Sequence, residues 1–371
     1  MMQTEASITP VAENVQSIWG LPLQPAGCAH CGGTFLIESR QMGMRCPNCA
    51  RGELAPQPAL LRPEPPEKIV PFVKTTTDLE QILSTFVKGV WLRPPDFNAD
   101  ALLQRAVPMY WPMWLVDSNT SGNWQADMGF DYQVKSSQSS YAGNRWQTRE
   151  VLEDRIRWEP RMGQIKRHYD NSTAPALSEH RVLQQRMGSY TTQQARNYDT
   201  SLLQHSALRV PDLQPEQSWP LVRPQIEQRA AEDCRKASGG QHIRDFSGNL
   251  QHQDLNWTQL LLPMYFTYYQ DEHNNVHPIY INGQSGTAGG LRLASQREGW
   301  KWAGITAAVA VGILLIALLC FVLSRALSQA AVAGTLLAIL ALFVGAGAIV
   351  PAVWPWQWNR KQQDQKVREY D

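Results

Sequence analysis

Two stretches near the end of the chain constrain it more than any other feature. Ala303 to Leu323 (AGITAAVAVGILLIALLCFVL) and Ala330 to Val350 (AAVAGTLLAILALFVGAGAIV) each run 21 residues without a charge. An α-helix rises about 1.5 Å per residue, so each run reaches about 31 Å, roughly the thickness of a bilayer's hydrocarbon core. Only Ser324 to Gln329 lie between them, so the two helices are expected to turn back at once as an antiparallel hairpin. Two such runs in tandem exceed the length and purity of soluble core helices, and the chain reads as a membrane protein with two spans.

The flanks suggest its orientation. Trp300 and Trp302 precede the first span, and Trp354, Trp356 and Trp358 follow the second, as interface anchors do. Arg292, Arg297 and Lys301 lie before the hairpin, Arg360, Lys361, Lys366 and Arg368 after it, and the turn carries only Arg325. Positive charge marks the cytoplasmic side, so the expectation is an inner-membrane protein with both termini cytoplasmic and the short turn outside. Gly304, Ala308 and Gly312 fall four apart on one face, as do Gly334 with Ala338 and Ala341 with Gly345. Small residues at that spacing let two helix backbones approach closely, although alanine and glycine are common in membrane helices anyway.

Some 300 residues precede the hairpin, enough for one or two soluble domains with proper cores. Net charge is +1, from 34 basic and 33 acidic residues, which gives no whole-chain case for nucleic acid or acidic partners. The opening MMQTEASITPVAENVQSIWG has no Lys or Arg and no apolar centre, so it does not read as a signal peptide. Residues 1–26 read as a mobile tail.

The first chemistry is CAHCGGTFLIESRQMGMRCPNC. Cys28 and Cys31 form one CxxC and Cys46 and Cys49 another, with fourteen residues between. The two-residue spacing lets a tight knuckle aim both sulfurs at one metal. Two knuckles on a short hairpin predict a zinc ribbon over residues 27–52, with one tetrahedral structural Zn2+ and no open coordination position. Disulfides are disfavoured because the ribbon falls on the expected reducing side, and a redox CxxC lacks its βαβ setting. A ribbon this small buries no core alone, so metal is expected to supply its folding energy. It carries Arg40, Arg45 and Arg51 against Glu38 and Glu53, with Phe35 as nearly its sole stacking aromatic. That favours protein contact over nucleic acid, with capping of a neighbouring domain as a third reading.

Residues 53–68 hold Pro56, Pro58, Pro63, Pro65 and Pro66 and read as an extended linker that sets the ribbon apart. An α+β cytosolic domain is expected over 69–295. It opens with a strand from Ile69 to Val73 and a helix capped by Thr77 and Glu80 and ended by Gly89. Leu79, Ile82, Leu83, Phe86 and Val87 form the buried face of that helix. From Val107 the pattern turns to antiparallel strands. VPMYWPMWLVD is followed by polar hairpin material (SNTSGNWQAD) and alternating segments through Trp158. Residues 171–220 carry no assignable pattern. A helix is expected from Pro224 to Ala237. A three-stranded meander follows over LLLPMYFTYYQDEHNNVHPIYINGQSGTAGGLRLAS, turning at Asn274-Asn275 and Asn282-Gly283. The hairpin is assigned to 296–360, with spans at 303–323 and 330–350, and a cytoplasmic tail to 361–371.

The two CxxC knuckles, Ile69 to Phe72 (IVPF), Lys88 to Trp91 (KGVW), Pro112 to Asp117 (PMWLVD), LLPMYFTYY and Tyr280 to Gly286 (YINGQSG) occur in the order found in a bacterial family. The chain resembles these membrane proteins with an N-terminal zinc ribbon, labelled TFIIB-type zinc-ribbon-containing or, loosely, primosomal helicase-like. The resemblance covers most of the chain, but residues 171–250 match poorly. It implies a membrane-tethered scaffold or adaptor, some members being associated with stress systems built on phage-shock-type, ESCRT-III-like membrane proteins. The helicase label has no support in this chain, which lacks the GxxxxGK[ST] that cradles ATP phosphates.

No enzyme is expected. The chain has no HExxH, no GxSxG and no GxGxxG opening a helix. His273 and His277, beside Asp271 and Glu272, read as solvated polarity on a hairpin. Cys234 reads as a half-buried thiol with no activating histidine, and Cys320 as inert within a span. Glu150, Glu153 and Asp154 have arginine neighbours and read as a solvated strand. The expectation is a membrane-anchored scaffold that recruits other membrane-associated proteins. A membrane-tethered nucleic-acid-binding factor is the alternative.

Overall fold

A computed structural model describes residue 20 and residues 23–57, 65–142, 145–203, 205–323 and 328–370. The fold is α+β with a mixed sheet and two apolar C-terminal helices that could span a membrane. The chain divides into two compact units. One comprises residues 1–112, 179–210 and 261–371, the other residues 113–178 and 211–260. The range 69–295, expected as one domain, therefore contributes to both.

The first unit begins with β1 (Leu23–Cys28), β2 (Thr34–Glu38) and β3 (Leu54–Pro56). Most of the expected mobile tail lies outside the described residues, but its last residues, Leu23 to Ala26, belong to β1. β1 pairs antiparallel with both β2 and β3, so the first residues of the expected linker are strand. β4 is only Lys68–Ile69, because Pro71 has no N–H to continue a ladder. Helix α1 (Thr76–Lys88) is capped by Thr75 and Asp78, two residues earlier than expected. Thr75 accepts from the Asp78 N–H, and the Asp78 carboxylate accepts from the Thr75 N–H at 2.8 Å. Leu79, Leu83 and Val87 are buried as the period requires. With Phe97 and with Leu102 of the short α2 (Ala99–Gln104) they close over Tyr269, Ile279 and Ile281.

β5 (Val107–Ala142) and β6 (Arg145–Pro175) form one hairpin. The SNTSGNWQAD stretch, expected as a turn, is continuous strand within it. The two strands stay paired to Ala142 and Arg145, and residues 143–144 lie outside the described residues. Residues 171–220, unassigned from sequence, hold the end of β6, α3 (His180–Met187), β7 (Arg196–Asn197), β8 (Ala207–Arg209) and the start of α4 (Pro215–Ala237). α4 begins well before Pro224, with Pro215 in its first turn. Pro220 and Pro224 lie on its exposed side, while Ser218, Val222, Ile226, Ala230 and Cys234 form an unbroken buried row four residues apart. In the second unit that row packs on Trp114, Val116, Trp124, Met128 and Tyr169.

The expected meander is present as β9 (His242–Gln270), β10 (Val276–Asn282) and β11 (Ala288–Gly290). The strand order is β11-β10-β9-β5-β8-β2-β1-β3. β5 and β8 run parallel through Met109–Ala207 and Tyr110–Leu208. β2 pairs with β8 through Phe35–Arg209 and Leu36–Leu208. The cysteine module is thereby stitched into the first unit's sheet and does not stand apart on a linker.

Three helices end the chain: α5 (Gln296–Leu323), α6 (Ser328–Gly347) and α7 (Ile349–Tyr370). Two helical stretches, Gln296–Leu323 and Ala330–Asp364, are long and apolar enough to cross a membrane. The first helix starts before the expected span. The second breaks at Ala348, where Pro351 cannot donate to the carbonyl four residues back. α7 then runs on through residues 361–370, so the expected tail is helical. Large side chains such as Leu315, Leu342 and Phe343 face outward, and small ones face inward. The inward set is Ala303, Ala310 and Ala317 of α5 with Gly334 and Ala341 of α6, seven apart in each helix. A Cβ on Gly334 would lie 3.1 Å from the Ala317 carbonyl oxygen, whereas Gly304 and Gly312 have nothing within 4 Å. The expected face of Gly304, Ala308 and Gly312 is therefore not the contact between these helices.

Candidate metal centre

The knuckles are built by their own backbones. The Cys28 N–H donates to Gly33 O at 2.9 Å and the Gly32 N–H to Cys28 O at 2.8 Å. Gly32 sits at φ +69, which suits a residue without a Cβ. The second knuckle mirrors this: the Cys46 N–H donates to Gly52 O at 2.8 Å and the Ala50 N–H to Cys46 O at 2.9 Å. The Asn48 N–H points at Cys46 Sγ, 3.4 Å away.

These turns bring Cys28, Cys31, Cys46 and Cys49 together, all four sulfurs within 4.8 Å of one another. Cys28 Sγ lies 3.7 Å from Cys49 Sγ, and Cys31 Sγ 3.6 Å from Cys46 Sγ. A tetrahedral ion with metal–sulfur bonds of about 2.3 Å separates its sulfurs by about 3.8 Å. The four cysteines thus fit a single metal ion. Crowding polarises the thiols: the Cys46 thiol, hydrogen-bonded to Cys31, pulls Cys31 down to about 4, while that bond and burial push Cys46 up. Cys28 and Cys46 are buried, Cys49 is half-buried and Cys31 is exposed. Gly52 is required beside them, since a Cβ there would lie 2.6 Å from Cys28 Sγ.

Sequence reasoning missed how the module is held. Asn48 Nδ2 donates to Glu179 Oε2 at 3.0 Å, and Glu179 Oε1 lies 3.4 Å from Arg209 Nη2. Arg209 is buried, with its guanidinium 4.9 Å from the centre of the Phe35 ring. The Tyr280 hydroxyl donates to Asn48 O at 2.6 Å. Each partner comes from a distant segment with no local motif, so nothing in the sequence announced it. Two of the three arginines weighed for nucleic acid are engaged as well: Arg40 pairs with Glu38 at 2.5 Å, and Arg45 lies over the Tyr268 ring at 5.3 Å.

The residues weighed for other chemistry have structural partners. Asp271 accepts from the backbones of His273 and Asn275 and sits 3.0 Å from His277 Nε2. The sequence reading of this cluster as solvated polarity missed Glu272, which closes the start of α5. It accepts from the Ser295 hydroxyl at 2.5 Å and from the backbone N–H groups of Gln296 and Arg297 at 3.2 and 2.8 Å. Cys234 is buried in the second unit, where burial pushes its thiol up to about 11. Glu153 pairs with Arg155 on exposed strand.

Comparison with family models, with curated proteins and with solved structures found no match to this chain.

Proposed function

We propose that the chain is a membrane-anchored scaffold, with α5 to α7 as its anchor and the far part of the β5–β6 hairpin as its docking arm for a protein partner. The observation that carries this reading is the unsupported end of the hairpin. β9 begins at His242, whose ring meets Asp131 at 2.7 Å. Past that point, among the described residues, β5 and β6 pair only with each other as far as Ala142 and Arg145. About eleven residues of each strand, roughly 35 Å, are left as a two-stranded ribbon. Such a ribbon is marginally stable in water unless something covers it.

Its two faces differ. The register puts Tyr141, Trp146, Leu152 and Ile156 on one face with Asp131, Glu150 and Asp154. Trp146 is 72% exposed and packs edge-on against Tyr141 at 5.5 Å. Exposed aromatic and aliphatic residues in a row suit a protein surface. The opposite face carries Arg145, Arg149, Arg155 and Arg157 with Glu153, interspersed with Tyr132, Val134 and Val151. This arginine row favours a second reading, nucleic acid contact by a β-ribbon. Photo-cross-linkers at positions 146 and 152, with 138 and 149 on the other face, separate the two. Protein adducts from 146 and 152 are expected. Nucleic acid adducts from 149, or salt-sensitive DNA or RNA binding by the full chain, would promote the second reading.

Zn2+ is the metal we assign to the four cysteines, in a structural role. The anchor is placed in the inner membrane with both termini cytoplasmic and residues 324–329 outside, as the flanking basic residues favour. The partners we favour are membrane-associated proteins of a membrane-stress or membrane-remodelling system, a reading that rests on the family resemblance. External thiol labelling of Ala326→Cys, with no labelling of the cysteine module in intact cells, is the expected outcome. The reverse pattern would invert the topology.

A further inference from the structure

The first unit carries a basic groove beside the anchor that the scaffold reading does not use. Two adjoining hollows, about 500 and 300 Å³, share Phe86, Ala288 and Arg292 in their walls. Lys74 lines the first and Arg186 the second. The one carboxylate in either wall is Asp78, engaged in capping α1 through Thr75. Aromatic rings hold two of the cations in place. The Arg292 guanidinium lies 5.4 Å from the Phe86 ring centre and that of Arg186 lies 5.6 Å from the Tyr280 ring centre. Among the described residues no carboxylate lies within ion-pair distance of Arg292. The floor beside Arg186 is tight: a Cβ on Gly289 would lie 2.2 Å from the Arg186 carbonyl oxygen.

Depth distinguishes this groove from an ordinary basic patch. The Arg292 carbonyl accepts the indole N–H of Trp358 at 2.6 Å, and Trp354 stacks on Trp358 at 5.2 Å. Tryptophans flanking a membrane span settle at headgroup level. Gln362, in the wall of the second hollow, comes four residues after Trp358 on the same helix, about 6 Å further along its axis. The groove therefore opens within reach of lipid phosphates, where basic side chains are attracted to an anionic leaflet. Guanidinium groups fixed by rings also present paired donors that match phosphate oxygens.

We propose that this groove binds the phosphodiester headgroup of an anionic phospholipid, held by Arg292 and Arg186 with Lys74 at its far end. The inference rests on the membrane-anchored reading. The test uses the full chain in nanodiscs of phosphatidylcholine, with or without a minority of phosphatidylglycerol. Phosphatidylglycerol should raise the melting temperature of the wild type by about 2–4 °C, and Arg292→Gln with Arg186→Gln should abolish that gain. An equal loss in Arg360→Gln with Lys361→Gln would reduce the effect to general surface charge and overturn the site. Inorganic phosphate giving the same rise in phosphatidylcholine discs would identify a soluble phosphate, not a lipid, as the occupant. A chain that enters discs but melts identically in both lipids sinks the groove alone. One that never enters discs sinks the anchor and the groove together.

Discussion

The side-chain amide of Asn359 satisfies both backbone groups of Ala294. Its Oδ1 accepts from the Ala294 N–H at 2.8 Å and its Nδ2 donates to the Ala294 carbonyl at 2.9 Å. Ala294 is only 4% exposed, so no water replaces the amide if it is removed. Gln296 Nε2 adds a bond to Ala352 O at 2.8 Å. That bond joins α5 to α7, while Trp358 Nε1 donates to Arg292 O at 2.6 Å, so α7 is held to the backbone just before α5 at two residues, Ala294 and Arg292.

Asn359→Leu is expected to destabilise the first unit by about 2–4 kcal/mol, since it strands a buried donor and acceptor. Thermal unfolding in detergent, followed by tryptophan fluorescence, checks this. Asn359→Asp keeps the acceptor and loses the donor, so it should fall between. An unchanged melting temperature in Asn359→Leu would show that the joint holds without this amide.

Metal analysis of the purified chain should return one zinc per molecule, and Cys46→Ser with Cys49→Ser should return none. Gly52→Ala keeps all four ligands but crowds Cys28 Sγ. It should speed zinc loss to a chelator without abolishing binding. Because β2 is paired to β8, stripping the metal should also lower the stability of the first unit as a whole. Local unfolding of the module with no change elsewhere would argue that the pairing carries little energy.

The helix hairpin offers a paired test. Gly334→Leu pushes a side chain into the Ala317 backbone and the Phe321 ring, whereas Gly312→Leu points into open space. The first should separate α5 from α6, read as loss of cross-linking between cysteines placed at 310 and 341. The second should leave that cross-link intact. Equal loss in both would move the seam back to the four-residue spacing expected from sequence.

Two histidines set a pH dependence. Burial pulls His180, packed 5.1 Å from the Trp111 ring, down to about 4, and burial also lowers His252. An unfolded histidine titrates near 6.5, so between about 6.5 and 4 the unfolded chain binds protons that the folded chain refuses. Stability from this source is complete above about 6.5 and falls as the pH drops toward 4. His180→Phe should flatten the melting-temperature profile over that window. A mutant profile as steep as the wild type's would remove His180 from the account.

What the sequence made legible was what it encodes locally. Paired CxxC spacing and long uncharged runs each occupy one continuous segment, and the cysteine cluster and apolar helices are found where they were expected. Pairings across long separations were not legible. β2 meets β8 through Phe35–Arg209 and Leu36–Leu208, and the short ALR strand gives no hint of its neighbour. SNTSGNWQAD looked like a turn because Ser, Asn and Gly favour turns. α4 was cut short because Pro224 suits a first helical turn, but it sits on the exposed side of a helix that starts at Pro215, away from the packed row. The capping role of Glu272 was hidden because its partner, Ser295, lies two strands further along the chain.

The order of segments along the chain has a consequence for biosynthesis. Every strand of the sheet lies before Gln296, and the two stretches long and apolar enough to cross a membrane follow it. Chains fold from the N-terminus as they leave the ribosome. β2 emerges some 170 residues ahead of β8, and closing so long a loop is slow. The cysteine module must therefore wait with one edge unpaired, and a metal ion bound at that stage would hold its knuckles in register. When the first span emerges, all the strands have already been made. The order favours a sheet that folds first and a pair of apolar helices that is completed last, trailing the body already made.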